Sequence, residues 1–151
     1  MTIAIDPAQL LRVISDAVIV ADASGKIVWW NAAATRIFGF AEEEALGKDL
    51  ALIIPERLRH RHNVGFGKSM ETGTTRYGTQ LLKVPAVHKD GRSLSIAFSV
   101  GMLFDANNTV TGVAAVIRDE TSRFQADREL AQRLAACEAT LAALSKQSSQ
   151  A

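Results

Sequence analysis

The segment Trp30-Asn31-Ala32-Ala33-Ala34-Thr35-Arg36-Ile37-Phe38-Gly39-Phe40 marks the point where strand gives way to helix. Asn31 is a natural cap, because its side-chain oxygen can accept from an N–H that the first helical turn leaves unpaired. Ala32–Phe38 then reads as a short helix. Gly39 closes it, since glycine enters the left-handed conformation of a helix terminus without steric cost. Just before this segment, Lys26–Trp30 reads as a strand returning from Ala17–Ala21 across the turn Asp22-Ala23-Ser24-Gly25. Farther upstream, Asp6 and Pro7 open a helix over Asp6–Ile14, with Leu10, Leu11 and Ile14 on one face. Downstream, Ala41–Leu46 is another helical turn stopped at Gly47, and Pro55 opens a longer helix to about Glu71.

The second half changes character. Thr79–Val87, Ser93–Phe104 and Thr109–Ile117 are rich in β-branched and apolar residues, with hairpin turns at Asp90-Gly91 and Asp105-Ala106-Asn107-Asn108. From Asp119 onward the pattern is helical. Leu130, Leu134, Cys137, Leu141 and Leu144 recur with spacings of 4, 3, 4 and 3, the seam of an amphipathic coiled-coil helix over about two heptads. Five strands with short helices inserted in the middle predict an α+β domain, with helices on one face of an antiparallel sheet. The expected organisation is an N-terminal flanking helix (1–15), a domain (16–119), a C-terminal signalling and dimerisation helix (120–146) and a frayed tail (147–151).

Composition narrows the function classes. With 151 residues, 48% hydrophobic and 22% charged, the chain can bury one ordinary core. A net charge of +1 gives no field that argues for nucleic acid or an anionic membrane. Apolar runs are too short to span a bilayer, and no secretory signal is visible at the N-terminus. The single cysteine, Cys137, cannot form an internal disulfide and fits a reducing compartment, so a cytoplasmic location is expected.

The order of elements and several short motifs resemble the PAS family. Asp16–Ile27 is similar to its first hairpin, and Trp30-Asn31-Ala32-Ala33-Ala34 with Ile37-Phe38-Gly39-Phe40 to its most recognisable segment. Glu43-Glu44-Ala45-Leu46-Gly47-Lys48, Lys89-Asp90-Gly91-Arg92 and Val116-Ile117-Arg118-Asp119-Glu120-Thr121 match later parts of the family pattern, so the likeness spans residues 10–122. The resemblance implies a sensory, signal-transducing module of bacterial type: a PAS-like five-stranded antiparallel sheet and its helices enclose a small cavity. A following helix couples that cavity to an effector domain or partner protein downstream.

The helix from Pro55 carries the candidate site. At about 100° per residue, Leu58, His62, Phe66 and Met70 form one stripe with Ser69 inside its arc, whereas His60 points roughly opposite. Gly65 leaves open space one turn along from His62. An inward imidazole beside small residues could coordinate haem iron; it could equally be a core histidine bonded to a carbonyl. Ile54-Pro55-Glu56-Arg57-Leu58-Arg59-His60-Arg61-His62 resembles the start of the long helix in oxygen-sensing haem PAS domains of rhizobial sensor kinases and an enterobacterial cyclic-di-nucleotide phosphodiesterase. That resemblance implies haem b ligated by His62. Where the kinase-type sensors place an oxygen-binding arginine this chain has Leu81-Leu82, an apolar distal side suited to carbon monoxide or nitric oxide.

Other occupants stay open. Phe66, Leu81, Ile96 and Phe98 could line a cavity for a small apolar ligand or for none. Flavin could bind non-covalently, with Trp29 or Trp30 beside its ring, although either tryptophan also reads as a strand residue packed on a helix. Covalent blue-light chemistry is excluded, because no cysteine precedes Cys137. No metal-ligand spacing links His60, His62 and His88, and no nucleophile elbow exists, so catalysis is not expected. The leucine seam predicts a homodimer; its bland counterpart is a helix folded back on its own sheet. A ligand-free dimerisation module is the rival within the same fold.

Overall fold

The computed structural model describes residues 4–150, in two compact units that meet in the chain between Asp119 and Glu120. The first contains α1 (Pro7–Val13), β1 (Ala17–Asp22), β2 (Ile27–Trp30), α2 (Ala32–Phe38), α3 (Glu42–Ala45), a 3-10 turn (Leu50–Ile53), α4 (Glu56–Thr72), β3 (Leu82–Val87), β4 (Ser93–Phe104) and β5 (Val110–Asp119). The strands form one sheet in the order β2-β1-β5-β4-β3, with every neighbouring pair antiparallel. The architecture is the expected α+β one.

Strand alternation decides which residues meet the helices. Ile19 lies opposite Trp30 on β2 and Ala115 on β5, and Ala17 opposite Ile117. These positions share the inner face and join Ile27, Ala34, Phe38, Ala86, Leu94 and Ile96 in the core. Val20, paired with Trp29, and Val18, paired with Val116, occupy the other face.

Asn31 ties three elements together at this junction. It is 3% exposed, and its Oδ1 accepts from Ala34 N–H at 2.9 Å, capping α2, and from Val18 N–H at 3.0 Å on β1. Its Nδ2 donates to the carbonyls of Leu11 at 3.0 Å and Asp16 at 3.1 Å, holding the end of α1. At the far end of α2, Gly39 adopts φ 81°, where a Cβ would sit 2.5 Å from the His88 ring. That closeness lets the β3–β4 hairpin dock on α2: Lys89 N–H donates to Phe38 C=O at 2.8 Å, and its Nζ pairs with Glu44 at 2.6 Å.

Several boundaries differ from expectation. β3 starts at Leu82 rather than Thr79, because Tyr77 C=O accepts from Gln80 N–H in a turn through Gly78 at φ 54°. β5 runs on to Asp119, paired with Ile96. Pro55 takes the capping position of α4 rather than its first turn. The 3-10 turn, capped by Asp49 through Ala51 N–H, was not legible from periodicity.

The second unit is α5 (Thr121–Ser149). The helix runs on through most of the tail expected to fray, with Ser149 Oγ donating to Ser145 C=O at 3.0 Å. Residues 1–3 of the expected flank and Ala151 of the expected tail lie outside the described residues. No helix among the described residues is long and apolar enough to cross a membrane.

Candidate functional site

The α4 stripe forms as its spacing predicts. Leu58, His62, Phe66, Ser69 and Met70 are half-buried, whereas His60, Arg61 and Val64 are exposed. His62 and Phe66, one turn apart, stack with ring centroids 6.0 Å apart and planes inclined by 30°. The His62 Nδ1 lies 3.2 Å from Asn63 Oδ1. A carboxamide oxygen only accepts, so in this bond the His62 Nδ1 is the donor. Gly65 is exposed, and a Cβ there would meet nothing within 4 Å.

Phe66 reaches the β1–β2 turn: a Cβ on Gly25 would lie 3.7 Å from its ring and 4.0 Å from Asp49 Oδ2. The remaining expected wall residues stand on the sheet. Leu82 is paired with Phe98, and both are half-buried on the inner face. Ile96 lies opposite Val84 and is closed into the core at 5% exposure. Leu81 departs from expectation. It precedes the first ladder residue of β3 and is 61% exposed, so of the Leu81-Leu82 pair only Leu82 belongs to the wall.

The tryptophans are also corrected as ring neighbours for a flavin. Trp30 is packed against Phe38 at 5.7 Å, and its Nε1 donates to Thr35 Oγ1 at 3.0 Å and Phe40 C=O at 3.2 Å. Those contacts commit it to the core. Trp29, the next residue along the strand, is on the opposite face of the sheet from the helices. Its buried Nε1 has no hydrogen-bond partner among the described residues.

A haem site makes demands that these residues can be measured against. A ligating imidazole needs an oxygen to hold its Nδ1–H, which Asn63 supplies to His62. The porphyrin also needs apolar neighbours: Phe66 is one on α4, Leu82 and Phe98 stand on the inner face of the sheet, and Gly65 leaves open space on the α4 surface. The donor set fits. Asn63 was not legible in the sequence, because adjacent helical residues do not face one another and only its rotamer brings it to the ring. Among the described residues no cluster of three or more His, Cys, Asp or Glu side chains could hold a free metal ion.

A separate open groove of about 480 Å³ lies at the other end of α4, between Met70–Gly73 and Phe104 with Asn108–Val110. Three carboxylates around the domain are held below their ordinary range. Asp22 is lowered by the Ser24 hydroxyl and the Lys26 N–H, Glu44 by Lys89, and Asp90 by the Arg92 N–H and then His88. All three sit in turns or helix starts rather than at His62.

On α5, Leu130, Leu134, Cys137, Leu141 and Leu144 are all exposed, the leucines by 57 to 66%. The structure therefore brings together His62 with Phe66 and Leu82 with Phe98, and keeps the leucine seam as a separate, unpartnered stripe.

Comparison with known proteins places this geometry. An uncharacterised protein from Azorhizobium caulinodans is 35% identical over 121 residues, covering 80% of this chain and 16% of its own length. The sensor protein FixL of Bradyrhizobium diazoefficiens is 31% identical over 93 residues, covering 62% of this chain and 18% of its own. The chain thus spans less than a fifth of the length of these curated relatives. Among solved structures, a PAS domain from Colwellia psychrerythraea superposes with a TM-score of 0.67 at 22% identity, over 76% of this chain and 94% of that one. An RNA-binding light-oxygen-voltage receptor superposes with a TM-score of 0.66 at 21% identity, over 85% of this chain and 36% of that one. These two likenesses are to the fold. The PAS fold family profile matches residues 6–119, so this chain belongs to the PAS family.

Proposed function

We propose that the chain is a non-catalytic sensory module that holds haem b through His62 and relays the state of that site to an effector through α5. The observation that carries this reading is the His62 ring: half-buried on the inward stripe of α4, braced by Phe66, with Nδ1 engaged by Asn63, so that Nε2 would be the ligating atom. Likeness to a rhizobial sensor protein and to the haem PAS motif at Ile54–His62 supports it. When bound, the haem would supply an iron centre that takes a diatomic gas or changes oxidation state. The chain's own residues would do the rest. Phe66 and Asn63 fix the imidazole plane and tautomer. Leu82 and Phe98, apolar on the inner face of the sheet, would offer a bound gas no hydrogen bond, which would favour carbon monoxide or nitric oxide over oxygen.

Phe98 lies opposite Ile117 near the end of β5, and β5 leads within two residues into α5. Packing changes felt at Phe98 would thus reach the chain's exit from the sheet. A free, exposed Cys137 as the sole thiol suits a reducing, cytoplasmic setting.

The test is the visible spectrum of the purified chain before and after adding hemin. A sharp Soret band that is lost in His62→Ala, with the far-ultraviolet circular dichroism unchanged, is the expected result. A featureless spectrum unchanged by hemin rejects haem and leaves a ligand-free interaction module. Flavin bands would point to the other cofactor.

A further inference from the structure

We propose that the open groove at the C-terminal end of α4 is a binding site for a small organic cation, an ammonium group carrying alkyl substituents. The site is independent of the haem reading, because Met70 lies eight residues beyond His62, about 12 Å along the helix.

The groove, of about 480 Å³, is walled by two elements: Met70–Gly73 at the close of α4, and Phe104 with Asn108–Val110 at the β4–β5 hairpin. Gly73 brings them together. It ends α4 at φ 67°, with its N–H donating to Ser69 C=O at 2.9 Å. An added Cβ there would lie 3.3 Å from both the Phe104 ring and Val110 Cγ2. Glycine meets the left-handed conformation and the close approach together.

The polar groups of the groove favour positive charge. Among the described residues the carbonyls of Met70, Glu71 and Thr72 accept no backbone N–H, and a helix C-terminus carries roughly half a negative charge. The carboxylate of the hairpin is used up in its own turn: Asp105 Oδ1 accepts from Asn107 N–H at 2.8 Å and from Thr109 N–H at 2.9 Å. The Glu71 carboxylate and the Asn108 carboxamide, by contrast, make no hydrogen bond or ion pair within the chain among the described residues. No lysine, arginine or histidine lines the groove, so nothing there would hold an anion against Glu71.

The apolar part of the lining selects the kind of cation. The Phe104 ring is 46% exposed, with Met70 and Val110 half-buried beside it. An aromatic face and a thioether attract a weakly hydrated organic cation, whereas a hard metal ion asks for six or more oxygen ligands in a close shell. Because the groove is open to water, binding is weak. The same chemistry could arrive as a free amine or as a lysine side chain of another protein, and the test separates the two.

The experiment uses the haem-free, isotope-labelled 151-residue chain at constant ionic strength. Three probes are titrated separately: choline, the neutral alcohol in which carbon replaces the choline nitrogen, and acetyl-lysine methylamide with a free side-chain amine. Backbone amide shifts are followed by NMR. Saturable shifts at Gly73, Asn108 and Val110 are expected with a cation and not with the alcohol. Glu71→Gln and Phe104→Leu should each weaken binding about three- to fivefold, whereas Phe104→Tyr keeps the ring and should match the parent. Tighter binding of choline assigns a free quaternary amine, and tighter binding of the lysine probe a protein side chain; both carry the cation site.

Equal shifts with the neutral alcohol, or no saturation with any probe, would overturn the proposal. Full affinity in both Glu71→Gln and Phe104→Leu would do the same. Amide spectra unchanged away from the groove confirm that each variant is folded. The Soret spectrum after adding hemin decides the haem reading separately.

Discussion

Replacing Asn31 with alanine should cost the PAS unit about 2–5 kcal/mol, more than an ordinary cap. Loss of the bond to Ala34 N–H removes the α2 cap, about 1 kcal/mol. Val18 N–H is left without its acceptor in a site where Val18 is 3% exposed, and an orphaned buried donor costs about 1–3 kcal/mol. The carbonyls of Leu11 and Asp16 lie nearer the surface and recover water, so they add about 1 kcal/mol or less. At about 4 °C per kcal/mol for a unit of this size, Tm should fall by roughly 8–20 °C. Asn31→Ser separates the terms. Its hydroxyl can still reach Ala34 N–H but not Val18 or the α1 carbonyls, so it should recover only the cap, about 1 kcal/mol. The assay is thermal unfolding followed by tryptophan fluorescence, since both tryptophans adjoin Asn31. Full recovery in Asn31→Ser, or a loss in Asn31→Ala no larger than a cap, would refute the three-element account.

Further outcomes follow from single contacts. Gly39→Ala should cost about 2–4 kcal/mol, part from φ 81° and part from the His88 ring 2.5 Å from the new Cβ. Adding His88→Ala should return the second part, a coupling that a double-mutant cycle in urea would measure. Trp30→Phe and Trp29→Phe should diverge in the same assay. The first orphans the Thr35 hydroxyl and opens a core cavity for about 2–4 kcal/mol, whereas the second removes a buried donor with no partner and should stay within about 1 kcal/mol of the parent. Acid titration should lower Tm below about pH 4. Asp22, Glu44 and Asp90 are held below their ordinary values, so their contribution is full above those values and is lost as pH falls through the folded ones. Asp22→Asn should lie below the parent at neutral pH and converge with it in acid.

The sequence was most readable where local chemistry and fold agree. Asn31 and Gly39 announced α2 to the residue, because a cap and a left-handed terminus each require a particular side chain. Alternation in β4 likewise foretold Ser93–Phe104. What stayed hidden depends on partners distant in sequence. Nothing local says that Asn31 also holds Val18 and Leu11, or that His88 closes over Gly39. β3 was overextended because Thr79–Leu81 has strand propensity, yet Gly78 turns the chain away before the ladder begins. The α4 stripe was legible as a face, but strand register decided that Leu82, not Leu81, shares the inner side with Phe98.

The uneven packing of the domain bears on how such a module could respond to an occupant. The sheet and α2 hold all of the largest fully buried side chains, Trp30, Phe38, Ile19 and Ile27, while α4 has no fully buried residue along its 17 positions. Gly65 and Gly67 leave open space on α4 besides. Dense cores resist displacement, whereas elements with few buried contacts move at low free-energy cost. His62 therefore stands on an element of this unit that can shift at low free-energy cost. Hydrogen exchange offers a direct check: α4 amides should exchange well before those of β1 and β5 in the ligand-free chain. Protection equal to that of the central strands would remove α4 as the moving part.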